Sequence, residues 1–165
     1  MNNMIKAIKA AAYALVLTLA STSAFAIRFS ESFDVSVTLP TSAFHVIPAD
    51  PDWIHLEQRL HWNPTTSSLS VLRKQFDVKN ENGAISARLS FEPYLSNGRD
   101  RDDIALNVTF NDKRLTLDAQ EVITEADGRA GKRAALEIAA VKPPAGYQPG
   151  NYYGSVHMLF EAIVP

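Results

Sequence analysis

The chain contains no cysteine. A disulfide framework is excluded, and with it the roughly 2 to 4 kcal/mol that such a cross-link typically contributes; burial and backbone pairing must hold the fold instead. There is no basic block of the kind that tracks phosphate, so nucleic acid is not an expected partner. The principal apolar run, residues 10–20, has 11 positions, whereas a membrane-spanning helix needs roughly 18 or more. No nucleophile elbow, phosphate-cradling glycine loop or zinc-ligand spacing occurs, and no serine has a histidine placed to act as its base. The reading is a non-enzyme without a cofactor.

The beginning of the chain indicates a compartment. Lys6 and Lys9 precede the apolar run, which gives way to Ser21, Thr22, Ser23 and then Ala24-Phe25-Ala26. This is the form of a secretory signal peptide with an A-x-A cleavage site, so residues 1–26 are expected to be removed, leaving no membrane span. The 139 residues from Ile27 to Pro165 then suit one domain with a real core. Removing Lys6 and Lys9 from the 16 basic residues leaves 14 against 18 acidic ones, a net charge of −4.

Beyond residue 40 the hydrophobic period is two, with turn signals between runs and no sustained helical spacing, which predicts an all-β fold. The clearest run is residues 53–62, where Ile54, Leu56, Leu60 and Trp62 would share a buried face, interrupted by Gln58, and His55, Glu57, Arg59 and His61 a wet one. Strands are also predicted over 71–78, 84–91, 104–110, 114–117, 134–140 and 152–164. Asn82-Gly83 and Asn97-Gly98 are pairs that tolerate positive φ, and Asn111-Asp112 is expected to turn into the short strand after it. Seven or eight short strands in a chain of this length fit an immunoglobulin-like β-sandwich better than a closed barrel. The proline-rich stretch 142–150 is predicted to be an exposed loop.

Candidate chemistry is sparse. His55, Glu57 and His61 share a face of the predicted 53–62 strand, but at about 3.3 Å per residue the two histidines would be roughly 20 Å apart, too far for one metal ion. His45 and His157 fall on other strands with no evident partner. The acidic stretch 97–103 lacks the spacing and closing glutamate of a calcium loop and contains Arg99 and Arg101, so it reads as a charged surface turn. Asn107-Val108-Thr109 matches the glycosylation triplet but lies inside a predicted strand.

The most unusual feature is the segment just after the cleavage site. Phe29, Phe33, Val35, Val37 and Leu39 have one parity, and among the odd positions from 29 to 39 only Glu31 breaks the apolar face. Chain ends are poorly ordered unless tied down, so a strand this apolar needs a core to enter. Burying five such side chains at about 1.5 to 3 kcal/mol each represents a gross term on the order of 10 kcal/mol, before the costs of association.

The leader "FDVSVTLPTSAFHVI", the middle segments "ARLSFEPYLSNG" and "IALNVTFNDKRLT", and the closing "GNYYGSVHMLFEA", in this order, resemble the major pilin subunits of the alternate (class 5) chaperone/usher fimbriae, the colonization factor antigen I and coli surface antigen type. The closing segment is similar to that family's G-x-Y-x-G-x-V pattern. The resemblance implies an immunoglobulin-like sandwich missing one strand, which the N-terminal extension of the next subunit supplies. It implies a donor extension over residues 27–40 and a pilin domain over 41–165, with Phe33, Val35, Val37 and Leu39 as donor plugs. Phe29 shares their parity and would also belong to the donor strand, but Glu31 interrupts the apolar face between them. Val156, Met158 and Phe160 would belong to the acceptor groove and to the strand that pairs with the chaperone.

The partners implied are identical subunits in a filament, a periplasmic chaperone, an outer-membrane usher and a tip adhesin. The product would be a cell-surface fimbria that supports adhesion. Unlike the type 1 and P pilins, this chain has no disulfide and ends Ala162-Ile163-Val164-Pro165, without a penultimate tyrosine. A rival reading is a secreted monomeric β-sandwich that holds a carbohydrate or protein through residues 97–103 or 142–150.

Overall fold

The computed structural model describes residues 43–163, which lie within the second of the chain's two units, Thr38–Pro165. The predicted leader and donor segment fall outside the described residues. Eleven strands follow in chain order: β1 (Phe44–Pro48), β2 (Trp62–Asn63), β3 (Ser68–Leu69), β4 (Leu72–Asn80), β5 (Ala84–Leu89), β6 (Tyr94–Leu95), β7 (Ile104–Phe110), β8 (Lys113–Arg114), β9 (Gln120–Ile123), β10 (Lys132–Ala140) and β11 (Met158–Ile163). One short helix, α1 (Glu125–Ala130), separates β9 from β10.

The larger sheet has the order β1-β4-β10-β7, with β6 and β8 sharing the outer side of β7, and the smaller has the order β11-β5-β9. Every described pair is antiparallel. Period two determines the faces. In the larger sheet the even residues point inward: Phe76 and Val78 of β4, Leu106, Val108 and Phe110 of β7, and Ala134, Leu136 and Ile138 of β10 are all buried. In the smaller sheet Ile85, Ala87 and Leu89 of β5 meet them, with Val122 and Ile123 of β9. Edge-to-face ring contacts cross the interior, from Trp53 to Phe76 at 5.8 Å, Phe76 to Phe110 at 5.6 Å and Phe110 to Phe160 of β11 at 4.8 Å. The fold is an all-β, immunoglobulin-like sandwich.

The runs predicted at 71–78, 84–91, 104–110 and 134–140 appear as β4, β5, β7 and β10. Asn111 and Asp112 have φ of 47° and 62°, and they form the two-residue loop between paired Phe110 and Lys113, the type I′ geometry of a tight hairpin. The prolines of 142–150 lie in a strand-free loop, as expected.

Four expectations need correction. The run 53–62 is not a strand, apart from its last residue, Trp62, which opens β2. Asp50 caps a 3-10 turn at Pro51–Trp53 by accepting from the Asp52 amide at 3.1 Å. Gln58 then donates to the carbonyls of Trp53 and Leu56, both at 3.0 Å, folding the chain back on itself. Ile54, Leu56 and Trp62 are 47%, 65% and 49% exposed, and of the predicted buried face only Leu60 packs against the core. The strand-based separation of His55 and His61 has no basis either.

Secondly, the final strand begins at Met158 rather than at residue 152, because Tyr153 is engaged in a bridge with Ser96. Thirdly, neither Asn82 nor Gly83 has positive φ; the buried side chain of Asn80 closes that turn. Its amide donates to Ala84 O at 2.7 Å and Ile163 O at 3.4 Å, and its oxygen accepts from the Asn82 amide at 3.1 Å. Fourthly, His157 does have a partner, the ring of Phe91 at 4.9 Å.

Helix α1 packs on the same turn. Thr124 caps it by accepting from the Asp127 amide. Gly128 is required by close approach, since a Cβ there would collide with the Gly83 carbonyl. The β4–β5 turn, α1, the Asn111-Asp112 turn, the start of β1 and the end of β11 thus gather at one pole of the sandwich.

Candidate functional site

Among the described residues β11 pairs only with β5. Its inward residues Met158 and Phe160 lie opposite Leu89 and Ala87. Leu89 and Ala87 are 2% and 1% exposed, whereas Met158 and Phe160 are only half-buried against the core. Ala162, in the same phase, and Ile163 are exposed. Core cover therefore runs out along this strand, although the residues are apolar enough to occupy an interior.

The other side of this edge is formed by β1, the outermost strand of the larger sheet, whose Phe44 and Val46 also pack half-buried on the core. Asn80 connects the two. It pairs with Phe44 across the β1–β4 ladder and bonds Ile163 O at the end of β11, placing both outer strands on the same side of the sandwich. The side chains lining this edge are mainly aliphatic and aromatic, which suits an apolar strand.

Of the sequence-predicted groove residues, Met158 and Phe160 lie on β11 and face inward. Val156 contacts the core but precedes the strand, so it is not part of the pairing edge. Phe29, Phe33, Val35, Val37 and Leu39 are outside the described residues. Sequence reasoning missed Phe110, on which the Phe160 ring rests, and Phe44 and Val46 as the opposite wall; the alternation of Phe44 and Val46 was the available signal.

The segment leading into β11 has its own anchorage. The Ser96 amide donates to Tyr153 O at 2.8 Å and the Tyr153 amide to Ser96 O at 3.0 Å. Gly154 must be glycine, because a Cβ would collide with the carbonyl of Tyr94. The Tyr152 hydroxyl donates to Gln148 O at 3.0 Å. The motif Gly150-Asn151-Tyr152-Tyr153-Gly154-Ser155-Val156 is thus a clamp that delivers β11 to the edge.

Glu161 is the one charged residue of β11, and it is out of phase with the inward Met158 and Phe160 and exposed. On the outer face of the larger sheet Arg133 donates to both oxygens of Asp77, at 2.8 and 3.0 Å, and holds that carboxyl below its usual pKa. Burial raises the Tyr147 phenol, which lies edge-on to Trp62 at 5.5 Å. Among the described residues no three histidine or acidic side chains are grouped as metal ligands, and no helix is long and apolar enough to cross a membrane.

The CooA pilin subunit of enterotoxigenic Escherichia coli is similar in fold, with a TM-score of 0.58 and 20% identity over 70% of this chain and 86% of that one. A second likeness is to a chain from a chaperone–tip adhesin complex of CFA/I fimbriae biogenesis, with a TM-score of 0.45 and 13% identity; it covers 71% of this chain and 41% of that one. No curated protein matches. The family model of the CS1 type fimbrial major subunit matches residues 29–161, and the chain belongs to that family.

Proposed function

We propose that this structural fimbrial subunit polymerises by donor-strand complementation, residues 27–40 of one copy filling the edge beside β11 of the next. The observation that carries the reading is β11 itself, an apolar, one-sided edge strand with half-covered Met158 and Phe160. An edge of this kind is a template for strand addition. Phe33, Val35, Val37 and Leu39 would supply the missing cover from one face of the donor, with Phe29 at its far end. Val156, Met158 and Phe160 would line the acceptor, Val156 by packing and the other two from the paired strand.

Each subunit offers a donor at one end and an acceptor along its edge. The contact is heterologous and does not close, so it extends into a filament. In transit through the periplasm, after cleavage of residues 1–26, a chaperone would hold the edge until the outer-membrane usher exchanged it for a donor. A tip adhesin would end the filament.

The test is to delete residues 27–40 from the mature chain and append a copy of them after Pro165 through a short linker. The self-complemented subunit should be monomeric and stable, whereas the unmodified mature chain polymerises or aggregates. A stable, unmodified monomer with no tendency to polymerise would refute the reading. It would favour the monomeric binding-module alternative.

A further inference from the structure

A second groove lies at the pole opposite Asn80. There β5 and β10 end, β4 and β7 begin, and the clamp leads into β11. An open cavity of about 700 Å³ lies between the folded-back 57–62 segment, β6 and the clamp, lined by Trp62, Leu95, Tyr147, Tyr152 and Tyr153 among others. Trp62 is 49% and Tyr153 67% exposed. So much aromatic surface around one hollow marks an interaction site.

The geometry points to the opposite pole of the next copy as its occupant: the β4–β5 turn and α1 of one subunit seat on the aromatic groove of its neighbour. This rests on the donor-strand reading, and three observations lead to it. β11 runs from the groove pole towards the Asn80 pole, where Asn80 bonds Ile163 O. Every described strand pair is antiparallel, the more stable arrangement per residue. A donor running antiparallel to β11, with residues 33–39 laid along Met158–Ile163, would bring Leu39 to the groove pole.

Chain length then restricts the neighbour. The donor's own domain begins with β1 at Phe44, and β1 starts at the Asn80 pole, where the Glu81 amide bonds Ala43 O at 2.8 Å. From Leu39 to Phe44 the backbone spans at most about 17 Å when fully extended. The Asn80 pole of each donor subunit is therefore held within that reach of its acceptor's groove pole. Asn82 on the turn and Ala126 on α1 are exposed at that pole.

The absence of native cysteine makes the contact directly testable. Two full-length double variants, Tyr153→Cys with Asn82→Cys and Tyr153→Cys with Ala126→Cys, replace exposed side chains and leave the Ser96 bridge intact because it is made by backbone. Mild oxidation of assembled filaments should give a ladder of covalent multimers on non-reducing gels in at least one pair, lost on reduction. The same pairs in the self-complemented monomer should give no ladder.

Filaments that assemble but form no ladder with either pair would overturn this contact and leave donor-strand assembly standing. Failure of the wild-type chain to polymerise would overturn both. Wild-type filaments that bind an oligosaccharide, with binding lost on Trp62→Ala, would also overturn it, since the groove would then be open along the filament.

Discussion

Replacing Asn80 with alanine tests how the Asn80 pole is held. Asn80 is 1% exposed and makes three side-chain hydrogen bonds, two as donor to Ala84 O and Ile163 O and one as acceptor from the Asn82 amide. The 2.7 Å bond to Ala84 O is the strongest by length, and the 3.4 Å bond to Ile163 O the weakest. Losing the set, and leaving partners of the buried turn unsatisfied, should cost about 2 to 4 kcal/mol. For a domain of this size that lowers Tm by roughly 6 to 12 °C.

The assay is thermal and urea unfolding of the self-complemented subunit, with Asn80→Asp as the informative companion. Aspartate keeps the acceptor for Asn82 but turns a second oxygen towards two carbonyls, so it should be no better than alanine at neutral pH. Loss of Asn80→Ala stability below about 0.5 kcal/mol, within the range of ordinary surface changes, would refute this account. So would Asn80→Asp behaving as wild type.

Three further outcomes follow from the same structure. Gly154→Ala forces a Cβ into the Tyr94 carbonyl and should cost about 1 to 3 kcal/mol by overpacking, measured by urea midpoint. Phe160→Ala in the self-complemented subunit removes the ring that rests on Phe110 and should cost about 3 kcal/mol; the same change should lower filament yield. Asp77, whose pKa Arg133 depresses below the ordinary value of 3.8, stays ionised into acid, and its contribution is present above that value and lost as pH falls through the depressed one. NMR titration of the Asp77 carboxyl checks this, and Arg133→Ala should return the midpoint towards 3.8.

The long central strands were legible because each of β4, β5, β7 and β10 presents one face to a core, and period two records that face residue by residue. β9 and α1 were not legible by period, since four and six residues carry too little of it; the Thr124-x-x-Asp127 cap was the signal for the helix. The 53–62 run shows the converse. Its alternation is broken only at Gln58, yet Asp50, Pro51 and Gln58 offer local hydrogen bonds and a fixed φ that compete with a ladder, and among the described residues only its last member, Trp62, pairs with a strand.

Along the chain, residue type alone determined the absence of covalent cross-links, the apolar parity of 33–39, the β class and the turn at Asn111-Asp112, because each depends on a residue and its near neighbours. Tertiary structure decided what depends on distant partners. Among the described residues it paired β11 on one side only, set Phe160 on Phe110, gave Asn80 the task of joining β4 to β11, and collected four aromatic side chains around one groove. Alternation records that a face is apolar; only the order of strands across a sheet determines which of those faces lacks a neighbour to cover it.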